Sequence, residues 1–260
     1  IKYIIIIENM AKNTKITASI LVIGNEILSG KTQDININFI ANRCSKIGHF
    51  LQEVRIVRDN KKQIISTVME LSKKYNNVFT TGGIGPTHDD ITAECMAKAF
   101  NKKLVLNKVA HRLLIDHYKK SNIELNKSRL KMAFIPINAQ LIKNSVSAAP
   151  GFKIKNVWVM AGVPKIMQAM FLEDIEPKLF KGNKLISVSV KVLKPEGDIA
   201  EFLKVLQSNF KDIEIGSYPF YKPPEIGTTL IFRGTNSKKI NNSIKVLCKY
   251  LTKANIQYLL

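Results

Sequence analysis

The segment from Thr80 to Thr92, TTGGIGPTHDDIT, constrains the fold more than any other part of the chain. It follows a short apolar strand, and its three glycines permit positive φ angles and a close approach of the backbone to a ligand. The helix expected after it would add a partial positive charge, so the loop favours an anion such as a phosphate. A plain tight turn is the alternative, but a turn seldom needs three glycines followed by two acids. The residues predicted to contact the phosphate are Thr81, Gly82, Gly83, Gly85, Pro86, Thr87 and His88.

Strands and helices alternate before this loop. Continuous apolar runs indicate strands buried on both faces, and apolar residues at spacings of three and four indicate helices. Asn60 is a predicted N-cap. The order is a strand at Ile16 to Gly24, a helix at Asn36 to Ile47, a strand at Phe50 to Val57, a helix at Lys61 to Lys74 and a strand at Val78 to Thr80. Two successive βαβ units predict an α/β fold with a mostly parallel sheet.

The pattern is less regular after the loop. We expect a helix that starts at Asp89 or Asp90, with at least one of these acids as its cap, and helical segments as far as Ala133. The stretch from Ile135 to Phe152 is interpreted as an irregular connection. A buried strand at Asn156 to Met160 and a helix that ends near Phe180 then complete a domain over residues 16–182.

The remaining residues predict a second, smaller domain. A β-α-β-β-α order over residues 183–260 is typical of a small α+β unit with one exposed sheet face. At the other end of the chain, residues 1–15 form a predicted N-terminal extension. Met10 precedes the first convincing strand, so the residues before it are interpreted as not native and are left out of the fold prediction.

Acidic residues follow the predicted strands at what should be one edge of the sheet, since parallel strands share their carboxyl edge. They form a candidate set for a hard metal and a general base. Asp89 and Asp90 lie where a phosphate would bind, and a divalent cation would offset the repulsion between these carboxylates and the phosphate. We therefore predict metal ligands at Glu26, Asp89 and Asp90, with Asp34 and Asp59 on the same edge. Gly24 and Gly162 are predicted to give further close backbone approaches.

Composition excludes several classes of protein. The net charge is +20, but the lysines are scattered and do not interleave with aromatic residues, so nucleic acid is not the expected partner. Cys44, Cys95 and Cys248 have neither CxxC spacing nor an even count, which indicates reduced thiols. No apolar run approaches the roughly 20 residues of a membrane helix, so we expect a cytoplasmic protein without a membrane partner.

Several motifs together resemble one family: GNEILSG, TQDIN, VRD, TTGGIGPTHDDIT and AGVP. They are similar to the MoaB/Mog-like molybdopterin-binding family, and most of all to its CinA amino-terminal branch and the corresponding domain of FAD synthase. The resemblance implies a three-layer α/β fold that binds a pterin such as molybdopterin, or a nucleotide. It also implies functional roles for Asp59 and Asp90, and commonly a homo-oligomer.

The CinA and FAD synthase branch is associated with cleavage of dinucleotide pyrophosphates such as ADP-ribose and FAD, with a divalent metal such as Mg²⁺ or Co²⁺. Two departures leave the ligand open: Asn25 stands where this branch usually has Thr, and Ala161 replaces the first Pro of a PGxP pattern. The chain has no counterpart of the deamidase or adenylyltransferase domains, so neither of those activities is expected. The leading hypothesis is a pyrophosphohydrolase. The alternatives are a non-catalytic molybdopterin-binding protein and a molybdopterin adenylyltransferase-like enzyme.

Overall fold

The computed structural model describes residues 15–223 and 225–260 and divides the chain into two compact units, of which the first ends at Gly182 and the second spans Asn183–Leu260. The predicted N-terminal extension lies outside the described residues, apart from Lys15. Strands and helices alternate through much of the first unit. Its strands are β1 Ile16–Ile23, β2 His49–Val57, β3 Asn77–Thr81, β4 Leu104–Leu106, β5 Phe134–Pro136, β6 Gln140–Ile142, β7 Gly151–Ile154 and β8 Val157–Met160.

The helices of this unit connect the strands across both faces of the sheet. They are α1 Asn25–Leu28, α2 Asn36–Ile47, α3 Lys61–Lys74, α4 Thr92–Ala99, α5 Lys108–Lys120, α6 Lys127–Leu130 and α7 Pro164–Met170. A 3-10 turn at Lys131–Ala133 follows α6, and a π-helical turn with a 3-10 turn continues α7 to Lys178. The predicted bounds of α2 and α3 are those of the structure, and Asn60 caps α3 by accepting from the Gln63 N–H.

Six strands form the central sheet in the order β2-β1-β3-β8-β7-β6. The first four strands are parallel to one another, whereas β7 pairs antiparallel with β8, and β6 pairs antiparallel with β7. Leu21 and Ile23 of β1 pack with α3, α4 and α5 on one face of the sheet, while Ile20 and Val22 pack with α2 and α7 on the other. This confirms the predicted three-layer, mostly parallel α/β fold.

The prediction of an irregular connection from Ile135 to Phe152 is wrong in part, because most of β5, all of β6 and the start of β7 lie within it. These three strands are only three or four residues long. So short a strand gives too few alternating positions for a period of two to be seen in the sequence. β4 was also not predicted, and it pairs antiparallel with β5 in a separate two-stranded ribbon.

The second unit contains a four-stranded antiparallel sheet in the order β10-β11-β9-β12. Its elements are β9 Ile186–Val192, α8 Glu196–Asn209, β10 Glu214–Lys222, β11 Glu225–Gly234, α9 Ser237–Lys253 and β12 Tyr258–Leu259. Ile199 of α8 and Leu247 of α9 pack with Val190 and Leu230 of the sheet. The β-α-β-β-α prediction is correct as far as it goes, and β12 is an additional edge strand.

The three cysteines, Cys44, Cys95 and Cys248, are all free thiols. Among the helices of the described residues, none combines the length and the apolar character that a membrane span requires.

A network around Glu53 at the edge of the first sheet should make the stability of this unit depend on pH. The Tyr75 hydroxyl donates to Glu53 at 2.6 Å, and Lys74 and Arg55 donate to the same carboxylate. These hydrogen bonds, led by that of Tyr75, lower the pKa of Glu53 from 4.5 to about 2. The resulting stabilisation is complete above the unfolded-state pKa and is lost as the pH falls through the folded-state pKa.

We therefore expect Glu53→Gln to flatten the fall in stability as the pH is lowered from the ordinary glutamate pKa of 4.5 to the folded-state pKa of about 2. The measurement is the urea midpoint as a function of pH for the wild type, for this variant and for Glu201→Gln, which changes an exposed acid of α8. Glu201→Gln should follow the wild-type curve. A Glu53→Gln curve as steep as that of the wild type would contradict the role assigned to the network.

Candidate functional site

The carboxyl ends of β1, β2, β3 and β8 meet at one edge of the sheet, because these four strands are adjacent and parallel. Backbone hydrogen bonds join the segments that leave them: Gly24 N–H to the Val57 carbonyl at 3.1 Å, and Gly82 N–H to the Met160 carbonyl at 3.1 Å. From β1 the chain crosses to β2 on one side of β1, whereas the next strand, β3, lies on the other side of β1. This reversal creates a crevice where open α/β sheets commonly bind ligands.

Two glycines of the loop have the positive φ angles that the sequence predicts, +99° at Gly82 and +68° at Gly83. What their missing side chains avoid is protein rather than ligand. A Cβ at Gly82 would lie 2.1 Å from the Ile23 carbonyl oxygen, and one at Gly83 would lie 2.2 Å from the Thr92 hydroxyl. That hydroxyl is buried and donates to the Gly82 carbonyl at 3.0 Å. These glycines therefore let the loop pack against β1 and α4.

The predicted start of the helix after the loop is wrong. α4 begins at Thr92, its N-cap residue is Ile91, and no side chain caps it. Neither Asp89 nor Asp90 is a cap, because both carboxylates turn back onto Thr87. The Thr87 N–H donates to Asp90 Oδ2 at 2.8 Å, so a group within the loop has taken the acceptor that the helix would have used.

The Thr87 hydroxyl lies between the two aspartates, 2.5 Å from Asp89 Oδ1 and 2.5 Å from Asp90 Oδ2. A hydroxyl carries one proton and can donate to only one of them at a time. The hydrogen bond from this hydroxyl is the main cause that lowers the pKa of Asp89. Two acidic side chains that converge on one oxygen form a strongly negative point at the end of the loop.

Asp59 follows β2 and is fixed by the segment that follows β1. Its Oδ2 accepts the Asn25 N–H at 2.9 Å. Asn25, Asp59 and Asp89 are common to two adjoining cavities, which we call together the acidic groove. One end of the groove is completed by Glu26, Leu28, Ser29, Lys31 and Arg58, and the other by Asn60, Lys61, Lys62, His88 and Ile91.

The other two acids of the predicted set have different surroundings. The Glu26 carboxylate lies back over Gly24, where a Cβ would be 2.6 Å from either carboxylate oxygen. Asp34 does not reach the groove. Its Oδ1 accepts the Ile37 N–H in the first turn of α2 at 2.7 Å.

A further cavity of about 360 Å³ adjoins the acidic groove and shares Lys61, His88 and Ile91 with it. We call it the apolar pocket. Gly83, Gly85, Asp90, Glu94 and Lys131 form its polar part, and its apolar wall consists of Ile84, Ala93, Leu104, Met132, Phe134, Ile135, Pro150 and Phe152. The absence of a side chain at Gly85 leaves room for the Asp90 carboxylate, since a Cβ there would lie 2.7 Å from Asp90 Oδ2.

The structure thus brings most of the predicted phosphate and acid residues to one edge, but not all of them line a cavity. Gly24, Thr81, Gly82, Pro86, Thr87 and Gly162 line neither the acidic groove nor the apolar pocket. Gly162 lies against Gly82, and its carbonyl accepts from the Asn36 side chain at 2.8 Å. Gly162 therefore supports the start of the loop at Gly82.

The carboxylates of the site suit a hard cation only if a bound phosphate and water supply the other ligands. Within residues 15–223 and 225–260, no group of three or more His, Cys, Asp or Glu side chains is placed to hold a metal ion. Glu26 and Asp89 line the acidic groove, whereas Asp90 lines the apolar pocket. A dedicated all-protein cage is therefore not formed by the predicted set. Mg²⁺, however, is usually held by one or two carboxylates together with substrate phosphates and water. Asp89 and Asp90, converging on Thr87, suit that mode.

Several site residues were missed by the sequence analysis. Lys61 lines both cavities and pairs with Glu94 at 2.9 Å. Lys131, Met132 and Phe134 enter the site from the segment after α6. The Asn60 cap places Lys61 in the first turn of α3, which was a usable signal. No local pattern marks the other three, because they lie about 40 positions beyond the end of the loop at Thr92.

Residues 19–181 match the family model described as a probable molybdopterin binding domain, and residues 184–259 match that of the FAD synthase middle domain. A protein from Archaeoglobus fulgidus is 36% identical over 228 residues, which is 87% of this chain and 94% of the relative. A protein from Sulfurisphaera tokodaii is 36% identical over 215 residues, or 78% and 80% of the two chains.

Among solved structures, the protein CinA with unknown function from Thermoplasma acidophilum superposes with a TM-score of 0.56 at 34% identity. The match covers 61% of this chain and 95% of that one.

Proposed function

This chain belongs to the family of probable molybdopterin binding domains, and we propose that it is a metal-assisted pyrophosphohydrolase that cleaves FAD or ADP-ribose-like dinucleotides. The proposal takes the substrate to be a small molecule whose diphosphate lies along the loop from Gly83 to Asp90.

One observation carries the proposal: the acidic groove and the apolar pocket share Lys61, His88 and Ile91, and His88 belongs to the loop from Thr80 to Thr92, which we call the phosphate loop. A dinucleotide has the same order of parts, with a charged diphosphate between two larger groups. The apolar wall built by Met132, Phe134 and Phe152 suits a planar ring, since ligand pockets are lined mainly by apolar and aromatic side chains. Lys31 and Arg58 at the far end of the groove suit further polar groups of the ligand.

The residues of the chain support in-line hydrolysis as follows. Backbone N–H groups of the glycine loop hold the diphosphate. Asp59, fixed by Asn25, orients a water molecule and accepts its proton. The water oxygen bonds to one phosphorus while the bond from that phosphorus to the bridging oxygen breaks. The products are two phosphate monoesters, AMP and FMN from FAD or AMP and ribose phosphate from ADP-ribose.

Asp89 and Asp90 would hold a divalent cation against the phosphate oxygens, with Glu26 on the same groove as Asp89. When bound, such a cation offsets the charge that develops on the phosphate and on the leaving oxygen. Thr87 keeps both aspartates in place through its N–H and hydroxyl groups.

Purified protein incubated with FAD or ADP-ribose and either Mg²⁺ or Co²⁺ is expected to release AMP, and chelation with EDTA should stop the release. The measurement is mass spectrometry of the products over time. The control is a reaction without protein. A folded sample that releases no AMP with either metal would contradict the proposed activity.

The second candidate is a protein that binds molybdopterin or a related pterin without turnover. The match to a molybdopterin binding domain and the apolar wall of the pocket favour it. Retention of a pterin through purification, with no hydrolysis of either dinucleotide, would select this candidate. Turnover only in the presence of both ATP and a pterin would instead indicate an adenylyltransferase. Homo-oligomer formation stays a prediction, which light scattering of the purified protein tests.

A further inference from the structure

Lys131 connects a distant segment to the phosphate loop. Its ammonium group donates a hydrogen bond to the Thr87 carbonyl at 2.7 Å, across 44 positions of sequence. Thr87 is also the residue whose N–H and hydroxyl contact Asp89 and Asp90. One lysine therefore holds the residue on which both aspartates converge.

The backbone that carries Lys131 is fixed at several points. Asn126 caps α6 by accepting the Arg129 N–H at 2.9 Å, and the Arg129 guanidinium donates to the Glu124 carbonyl at 2.6 Å. Lys131 then starts a 3-10 turn that ends at the fully buried Ala133, whose carbonyl accepts the Asn107 N–H at 2.9 Å. The ammonium group is thus presented to the loop from a rigid support.

The hydrogen-bonding capacity of this ammonium group is only partly used. Lysine has three N–H donors, and Thr87 takes one of them. In the described part of the chain no carboxylate forms an ion pair with Lys131, although Lys61 in the same pocket is paired with Glu94. Lys131 lines the apolar pocket beside Gly83, Gly85 and Asp90. A cation with spare donors at a loop suited to phosphate is complementary to an anionic ligand.

We propose that Lys131 is a phosphate-binding residue of this site: it orders the loop through the Thr87 carbonyl and donates its remaining ammonium protons to the diphosphate of the ligand. The proposal rests on the proposed function for the diphosphate, but not on hydrolysis. It makes Lys131 a cation built into the site, so the protein should bind a diphosphate even without a divalent metal.

The test is isothermal titration with ADP in EDTA on the full chain. We expect the wild type to bind and Lys131→Met to bind about tenfold more weakly or worse, because the variant lacks the charged hydrogen-bond donor. Lys131→Arg should recover part of the affinity. Lys127→Met, which removes an exposed lysine of α6 that does not line the pocket, should bind like the wild type.

Two further measurements separate charge from support. The wild-type affinity should fall more steeply with added NaCl than that of Lys131→Met, since salt screens the lost attraction. Amide hydrogen exchange at Gly85 to Asp90 should rise in Lys131→Met alone. Wild-type ADP affinity in Lys131→Met, or no binding by the wild type in EDTA, would overturn the proposal. If ADP binds through Lys131 but no dinucleotide is cleaved, this proposal stands and the hydrolase fails.

Discussion

Asp59→Asn is expected to lower kcat for dinucleotide cleavage by about 10²–10⁴, the usual contribution of a general base, with KM changed much less. The amide that replaces the carboxylate can still accept the Asn25 N–H, which now lies 2.9 Å from Asp59 Oδ2. The groove should therefore keep its shape while it loses the group that accepts a proton. Steady-state kinetics with the better of FAD and ADP-ribose, at saturating metal, gives both constants.

The matched control is Asp34→Asn. Asp34 belongs to the same predicted set of acids, but it accepts the Ile37 N–H in the first turn of α2 and does not line the groove. The side-chain oxygen of Asn can accept the same N–H, so this variant should keep both the fold and the wild-type kcat. An equal loss of kcat in the two variants would indicate a general effect of charge. Wild-type kcat in Asp59→Asn would remove Asp59 from the mechanism.

The contrast between Asp59 and Asp34 reflects what the sequence could and could not predict about the site. Both acids were assigned to the carboxyl edge of the sheet, and strand order alone justifies that assignment. Each of the two carboxylates accepts one backbone N–H, Asp34 from Ile37 and Asp59 from Asn25, yet only Asp59 lines the groove. Which backbone donor a carboxylate wins in competition with other acceptors, and which way it then faces, is settled by three-dimensional geometry.

The same competition explains why α2 and α3 were predicted with correct bounds while α4 was not. In α3, Asn60 is both the cap in the sequence and the residue that accepts the Gln63 N–H, so local chemistry and structure agree. Before α4, Asp90 is an equally favourable type of residue for an N-cap, since Asp and Asn are preferred there to a similar degree. The Thr87 N–H, three residues earlier, binds that carboxylate instead. The departure from local preference coincides with the candidate site, as is common where function constrains a loop.

Lys131 could not be identified as a site residue from the sequence. It is one of many lysines in a chain of net charge +20, and no spacing distinguishes it from the others. Only the contact with the Thr87 carbonyl identifies it. The overall fold was more accessible, because a buried parallel sheet and amphipathic helices leave periodic patterns that extend over many residues.

Gly82→Ala is expected to be the most destabilising of the substitutions considered for this chain. The added Cβ would lie 2.1 Å from the Ile23 carbonyl oxygen, on a backbone with φ of +99°. The positive φ costs about 1–2 kcal/mol for a residue with a side chain, and forced overpacking adds about 1–3 kcal/mol. The expected loss in the free energy of unfolding is thus roughly 3 kcal/mol or more. Urea unfolding followed by circular dichroism measures it.

Gly30→Ala separates the two causes, because Gly30 also has a positive φ, +73°, but no atom lies within 4 Å of where its Cβ would be. It should lose only the part that comes from φ, and equal losses in the two variants would contradict the packing assigned to Gly82. The clash between an added Cβ and the Ile23 carbonyl should also affect function, because it would displace the loop and the end of β1 from each other. Asn25, whose N–H is bound by Asp59, lies only two residues beyond Ile23. Gly82→Ala should therefore weaken the site as well as the fold, although Gly82 lines neither cavity.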